Sequence, residues 1–476
     1  MHHAPRAPLE QAAQEDPPPL GFTREGCGGA TVGTSARPPH EEGSGALPAS
    51  ASGAPGRPAP MRVAVVGAGV AGTSCSWQLL QAARHPVAVT LFEMGRGAGG
   101  RASTRRSREL PGLGLNHGAP LFHLRPSAEV ADLVEALRAA RHIVEWQGTS
   151  GSVDAATGAL GQGPASRGEP AAEAADFERF VGSPGMSALA DGILRLPAAA
   201  PVETRYSTKV SSMQPRPPSQ GPGWELLDKE GAALGSFDWI VVTSASLAHP
   251  RWRQTFGEDP PLHAAARAAS SDELTAAMER LQGLRFGGVH VAMLAWAVGE
   301  GETAPACVRA LPFDVTEVTG DGVLAKVVRQ SLGPPYAAVV LHSTAAFAEQ
   351  HAQVLGSTGT AARMGAVAGS AEQEAAAAQA LCGAFERLLS AHLHVEAPAA
   401  PTWGPVLHRW GSAFPEGDAT AGGAPAAWVL PGAQVAFAGD FLVPPFACVE
   451  AALRSGVTAA RGILEASEGG QRPTCF

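Results

Sequence analysis

The chain has 476 residues, 45% of them hydrophobic and 17% charged, and a formal charge of −9, enough apolar content for two or three structural units with sizeable cores. The acidic balance without blocks of like charge gives no footprint for nucleic acid, and the longest apolar runs, such as Val289 to Val298, reach only half of the roughly 20 residues a membrane span needs. Six cysteines (Cys27, Cys75, Cys307, Cys382, Cys448, Cys475) with no CxxC spacing indicate neither a zinc site nor a disulfide framework, and no other metal site is indicated; a reducing compartment is expected.

Residues 1–60 hold eleven Pro and nine Gly and no hydrophobic period, so they are expected to be a disordered tail or a targeting segment. Their six acidic residues are more than transit peptides usually carry; the location is expected to be cytoplasmic, or plastid or organellar if the segment is a targeting sequence. Ordered structure is expected from Met61. Strand (Arg62 to Val66), glycine turn, helix (Ala71 to Ala83) and strand (Val87 to Phe92) make a βαβ opening. Later strands are predicted at Gly223 to Asp228, Phe237 to Ala245, Val289 to Val298, Gly322 to Gln330 and Ala337 to Thr344. Helices are predicted at Ser270 to Gln282, Ala371 to Ala391 and Cys448 to Ala466. The low-complexity stretch Gly356 to Ala378 reads as a surface insertion that ends in Ala-rich helix.

Gly67, Gly69 and Gly72 form G-x-G-x-x-G directly after a strand and at the mouth of a helix, followed by Glu93 at the end of the second strand. In that context the first glycine permits the tight turn, the second lets backbone approach a pyrophosphate, and the third lets helix pack on strand. Val70 and Ala71 open the helix, whose free N–H groups and positive dipole end suit phosphates. Glu93 is placed to accept hydrogen bonds from ribose hydroxyls.

The continuation Phe92 to Arg106, FEMGRGAGGRASTRR, resembles the second signature of flavin-containing amine oxidases, and more narrowly that of their renalase-like branch. Asn116 to Phe122 (NHGAPLF), Phe180 to Ile193 (FVGSPGMSALADGI), His408 to Pro415 (HRWGSAFP) and Phe437 to Leu464 extend the likeness over most of residues 61–466. The resemblance implies an α/β fold, a Rossmann-type FAD-binding domain with an inserted, sheet-rich α+β substrate domain, of the amine oxidase or p-hydroxybenzoate hydroxylase type. It implies a discontinuous FAD domain (61–124 with 176–250 and 430–468) and a substrate domain (125–175 with 251–429, in which 352–375 is an insertion). It further implies noncovalent FAD held by Gly99, Gly100 and Arg101 at the pyrophosphate, by Gly118 and Ala119 near the flavin ring, by Gly439 and Asp440 at the ribityl chain, and by the helix from Val449. Arg105 and Arg106 read equally as FAD contacts or as a solvated turn. Cys448 reads as a packing residue.

Two positions depart from the resemblance: Asn116 stands where an Asp is usual, and Gly333 where the renalase-like branch commonly has a lysine. With only Tyr206 and Tyr336 in the sequence, the two-aromatic cage that orients amines in monoamine oxidases is not expected to be two tyrosines, and a mixed cage using Trp410 or Phe441 is the alternative. His117 and Trp410 are the candidate catalytic residues, while His342, alternating in a strand, reads as a satisfied histidine. The activity implied is transfer of a hydride from a small donor, a dihydronicotinamide isomer or an amine, to flavin N5, with oxygen or another acceptor taking the electrons onward. A flavin-binding protein without turnover is the alternative.

Overall fold

A computed structural model describes residues 59–125, 127–161, 177–269, 271–366, 369–395, 399–416, 426–443 and 448–469. The expectation for the N-terminal tail therefore lies outside the described residues, except for 59 and 60.

The chain opens as β1 (Met61–Val66), α1 (Val70–Ala82) and β2 (Val87–Phe92), then β3 (Thr104–Arg106), β4 (Gly114–Asn116), β5 (Ser150–Asp154) and β6 (Leu160–Gly161). It continues through α2 (Ser187–Arg195), β7 (Glu203–Arg205), β8 (Trp239–Val242), α3 (Asp272–Gln282), β9 (Arg285–Ala297), β10 (Val315–Thr319), β11 (Leu324–Gly333) and β12 (Tyr336–Ser343). It closes with α4 (Thr360–Arg363), α5 (Ala371–His392), β13 (Trp403–Glu416), β14 (Trp428–Leu430), β15 (Val435–Phe437) and α6 (Val449–Glu468).

One six-stranded sheet has the order β7-β2-β1-β8-β15-β14, parallel except for β14. Its central strand MRVAVV is a continuous apolar run because both faces are covered. Val63 and Val65 face Cys75, Leu79 and Ile463 of α1 and α6, while Ala64 and Val66 face Trp224, Phe237 and Met278, the first two from a three-stranded antiparallel sheet and the last from α3. α1 and α6 approach closely because Gly456 has no side chain; a Cβ there would collide with the Ala71 carbonyl.

A seven-stranded sheet has the order β13-β9-β12-β11-β10-β5-β6. One face is sealed by α5, where Leu381, Phe385 and Leu388 meet Leu294, Val339 and Leu341. The other carries Val289, Val291, Met293 and Val340 against Leu115 of β4, and this face turns toward the nucleotide-type sheet.

The predicted elements agree with these spans at their centres and differ at specific edges. The expected strand Phe237 to Ala245 is broken at Asp238. There the Asp238 carboxylate accepts the Arg62 N–H at 2.8 Å and an Arg216 guanidinium N–H at 2.6 Å, and the backbone leaves the antiparallel sheet for the parallel one. Ser271 and Cys448 are caps rather than helical residues, each accepting an N–H of the first turn, as short polar side chains do.

Residues 352–375 are not confined to the surface, contrary to expectation. Val354 is buried in the core beneath α5, Leu355 and Gly359 line the central cavity, and a Cβ on Gly356 would press on the Leu407 carbonyl at 2.6 Å. Small residues are what fit at the two close approaches to β13, Gly356 against Leu407 and Gly359 beside His408.

Candidate functional site

The carboxyl ends of β1, β2, β7 and β8 open onto one cavity of about 1570 Å³ whose other wall is the seven-stranded sheet. Ligands of open α/β sheets sit at this end of the strands. The volume exceeds the about 300–1,000 Å³ of a single drug-sized site, so it has room for a dinucleotide and a second molecule.

The glycine turn has three separate physical requirements. Gly67 takes φ +115° and a Cβ there would collide with Thr243 Oγ1, while a Cβ on Gly72 would collide with the Gly67 carbonyl oxygen; both are needed for the turn to close. Gly69 differs, for nothing lies within 4 Å of the position its Cβ would take. It is the cap of α1 and offers no side-chain hydrogen bond, so the first-turn N–H groups of Val70 and Ala71, both cavity residues, keep their donors for a ligand. This is a cradle that a side chain would fill, and it fits a pyrophosphate.

Glu93 braces the turn from below. Its carboxylate accepts the Ala68 N–H at 2.9 Å and the Gly95 N–H at 2.5 Å. Burial raises its pKa, against the lowering effect of those two N–H groups.

The second signature folds against this turn. Gly99 (φ +125°) and Gly100 (φ +54°) carry the chain past Gly69, with the Gly99 N–H donated to the Ala68 carbonyl at 2.8 Å. Arg101 donates to Asp440 at 2.6 Å and to the Ala413 carbonyl at 2.9 Å. Its own carbonyl accepts the Ala119 N–H at 2.9 Å, and Gly118 is a glycine because a Cβ would collide with that carbonyl. Burial works against the Arg101 charge, but the Asp440 carboxylate outweighs it and holds the pKa above the ordinary value. Asp440 and Arg101, read from sequence as separate ligand contacts, are bonded to each other.

Gly439 donates its N–H to Ser455 Oγ of α6 at 2.8 Å, which ties this loop to the helix. Val449 begins α6, so a second helix N-terminus faces the cavity. The Cys448 thiol accepts the Ala451 N–H at 3.3 Å, and burial pushes its pKa up to about 11, so it is protonated at neutral pH and unreactive.

The opposite wall is built of imidazoles and an indole. His117 and His408 meet edge to face with centroids 4.8 Å apart, and Trp410 lies 5.0 Å from His117 and 4.3 Å from His408. Trp410 Nε1 donates to the His117 carbonyl at 2.9 Å. Neighbouring residues in register point to the same face of a sheet, and the pairs Glu317↔Lys326, Lys326↔His342, His342↔Val291 and Val291↔His408 run in one row across five strands to this cluster. Glu317 and Lys326 form an ion pair at 2.9 Å.

Burial lowers the pKa of His117 to about 4 and that of His342 to about 3, and pushes His408 well below its ordinary value; the Arg105 charge adds to this at His117 and His408, and Lys326 at His342. All three are neutral at pH 7. Nδ1 of His117, Nε2 of His342 and both ring nitrogens of His408 are buried without a hydrogen-bond partner among the described residues. His342 is therefore not the satisfied histidine expected; it lines the cavity. His290, on the other sheet face, has Nε2 bonded to the Val354 carbonyl at 2.7 Å, while its Nδ1 is likewise buried without a partner among the described residues.

Both departures from the expected pattern fall outside the cavity lining. Asn116 Oδ1 accepts from Thr104 Oγ1 at 2.8 Å and from the Met186 N–H at 2.9 Å, so it links β4 to the start of α2. Gly333 lies at the β11 end with open space around it. Of the two tyrosines, Tyr206 lines the cavity and Tyr336 donates to the Pro111 carbonyl at 3.2 Å. Phe441 also lines it. Arg105 is half-buried in the lining, and Arg106 is exposed. Sequence reading missed Lys326, Glu317 and Arg363 as cavity residues. Among the described residues no cluster of three or more His, Cys, Asp or Glu could hold a metal ion, and no helix is long and apolar enough to cross a membrane.

Residues 65–137 match the NAD(P)-binding Rossmann-like domain family. Among solved structures, a triple mutant of putrescine oxidase, made in a structure-based redesign of cofactor binding, superposes with a TM-score of 0.50 at 14% identity, over 85% of this chain and 99% of that one. The chain is a mixed α/β, sheet-rich protein with a Rossmann-like domain and a fold similar to the two-domain fold of an amine oxidase. At that identity the likeness speaks for the fold alone.

Proposed function

We propose that the protein is an FAD-dependent oxidoreductase that accepts a hydride from a small donor and hands the electrons to oxygen or another acceptor. The observation that carries this reading is the convergence of two helix N-termini, those of α1 and α6, with the Arg101–Asp440 pair on one cavity. A nicotinamide-type turn alone leaves the second helix without a purpose. Gly69, Val70 and Ala71 would bind the pyrophosphate, with Glu93 near the adenosine ribose, Gly99 to Arg101 on the flavin side of the phosphates, Gly118 and Ala119 at the ring, and Gly439, Asp440 and Val449 at the ribityl chain and pyrimidine edge.

Bound FAD supplies the two-electron acceptor. The chain supplies position and environment: the positive end of α6 favours negative charge at the pyrimidine edge, and the His117–His408–Trp410 wall closes the donor side and excludes water. Neutral His117 and His408 can each offer or accept one hydrogen bond from a ring nitrogen without carrying charge. A dihydronicotinamide isomer or an amine remains the proposed donor, in keeping with the renalase-like resemblance. Asn116 and Gly333, lying away from the cavity, give no support to a flavin protein without turnover. The test is the visible spectrum of the purified protein: flavin bands released into the supernatant by acid are expected, and a folded, colourless protein that takes up no FAD contradicts the proposal.

A further inference from the structure

Taking the flavoprotein reading as given, we propose that the electron donor is an anion, and that its phosphate or carboxylate group is received by Arg105 and Arg363 with Arg96 beside them. The chain as a whole carries −9, yet ten Arg and Lys side chains line the cavity against five carboxylates. Four of those carboxylates are engaged: Asp440 by Arg101, Glu317 by Lys326, Glu93 by two backbone N–H groups, and Glu450 by the Arg125 N–H at 3.2 Å. The two phosphates of FAD leave positive charge over.

The excess is concentrated. Arg96 comes from the loop after β2, Arg105 from β3 and Arg363 from α4, three separated segments that all line the cavity and whose charges act on one another. No carboxylate lies within ion-pairing distance of any of the three among the described residues. Burial and then the Arg96 charge lower the pKa of Arg105 and of Arg363; Arg363 acts further on Arg105, and Arg108 on Arg363, while Glu109, Glu374 and Glu93 pull the other way without pairing. Arg105 also acts on His117 and His408, and Arg363 on Glu93, so this cationic rim runs from the imidazole wall to the brace of the glycine turn.

Gathering like charges costs stability unless an anion joins them, and forked guanidinium groups are the usual receivers of phosphate and carboxylate. The segment that brings Arg363 is fixed in place. Gly359 packs over His408, its Cβ position 3.8 Å from Nδ1; Thr360 Oγ1 accepts from Arg363 at 3.1 Å; and Glu374 of α5 holds the Ser357 N–H and hydroxyl at 2.8 and 3.2 Å. A cationic amine would meet repulsion at this rim, whereas an anionic donor is drawn to it.

The test is a difference-absorption titration of the flavin-loaded protein with inorganic phosphate, inorganic pyrophosphate and acetate, with sodium chloride at matched ionic strength as control. A saturable change in the flavin bands with a phosphate or with acetate, absent with chloride, is expected, and which of them saturates tells phosphate from carboxylate. R363Q and R105Q should keep full flavin content and bind that anion at least about tenfold more weakly. A yellow protein that responds to all four salts alike, or variants with unchanged anion affinity, overturns the anion site. Loss of flavin from either variant overturns it too, by assigning these arginines to the cofactor. A protein that takes up no flavin at all overturns the proposed function and this inference with it.

Discussion

The Arg101 guanidinium meets the Asp440 carboxylate at 2.6 Å although 339 positions separate them in sequence. This pair joins the two distant halves of the site: the loop that follows the glycine turn and the loop that precedes α6. Asp440 is almost fully buried, with its side chain 6% exposed, and Arg101 is 37% exposed. Removing one partner leaves the other charge poorly solvated.

Asp440→Asn should destabilise the protein by roughly 2–3 kcal/mol, less than the about 3–5 of a fully buried pair because water reaches Arg101. Urea unfolding of D440N, R101Q and the double variant forms the cycle that measures it. Strictly additive losses would mean that the two side chains do not support each other.

The glycines of the turn should separate into two phenotypes. A Cβ on Gly69 meets no protein atom within 4 Å, so the thermal midpoint of Gly69→Val without ligand should stay close to that of the parent while FAD retention is lost. Gly72→Ala drives a Cβ into the Gly67 carbonyl and should lower stability by roughly 1–3 kcal/mol. Calorimetry alongside flavin content distinguishes them, and a flavin-replete G69V would make that position merely structural.

Glu93 serves the turn before it serves any ligand. Glu93→Ala strands the N–H groups of Ala68 and Gly95, at about 1–3 kcal/mol for each buried donor left unpaired, and should weaken FAD as the turn loosens. Glu93→Gln retains one acceptor and should recover much of both losses. Equal behaviour of the two variants in unfolding and in FAD titration would place the effect on charge instead of on bracing.

The buried imidazoles make stability depend on pH. His117 and His290 have pKa values lowered to about 4 and His342 to about 3, from 6.5 in the unfolded chain. The unfolded state therefore binds more protons below pH 6.5, so stability is full above that value and falls as pH drops toward 4. Each histidine contributes about 1.4 kcal/mol per pH unit in that window. His342→Gln should flatten the slope of unfolding free energy between pH 6.5 and 4 by one proton's worth; parallel curves for parent and variant would contradict the burial of a neutral imidazole.

The glycine turn and βαβ opening were legible because their chemistry is local: a strand, three glycines and a helix within a score of residues. Of the donor wall, His117 and Trp410 were legible through the resemblance, but the row of side chains that runs up to it was not. His342 looked ordinary in its own strand, and only the register β11-β12-β9-β13 sets it in line with Lys326 and His408. Arg363 was hidden for a different reason, since the small residues around it imitate a surface loop while in fact letting the segment pack on β13. Asn116 looked like an altered cofactor contact, yet its oxygen is taken up by Thr104 and Met186.

The central claim is that the Gly67–Gly72 turn and the two sides of the cavity at Gly439 with Asp440 and at Val449 together hold one FAD. Equilibrium titration of flavin-free protein with FAD, followed by quenching of flavin fluorescence, tests it most directly. One FAD per chain, with binding abolished by G69V and weakened by D440N, is the predicted result. Binding of a nicotinamide dinucleotide in place of FAD, or FAD binding untouched by D440N, would contradict it.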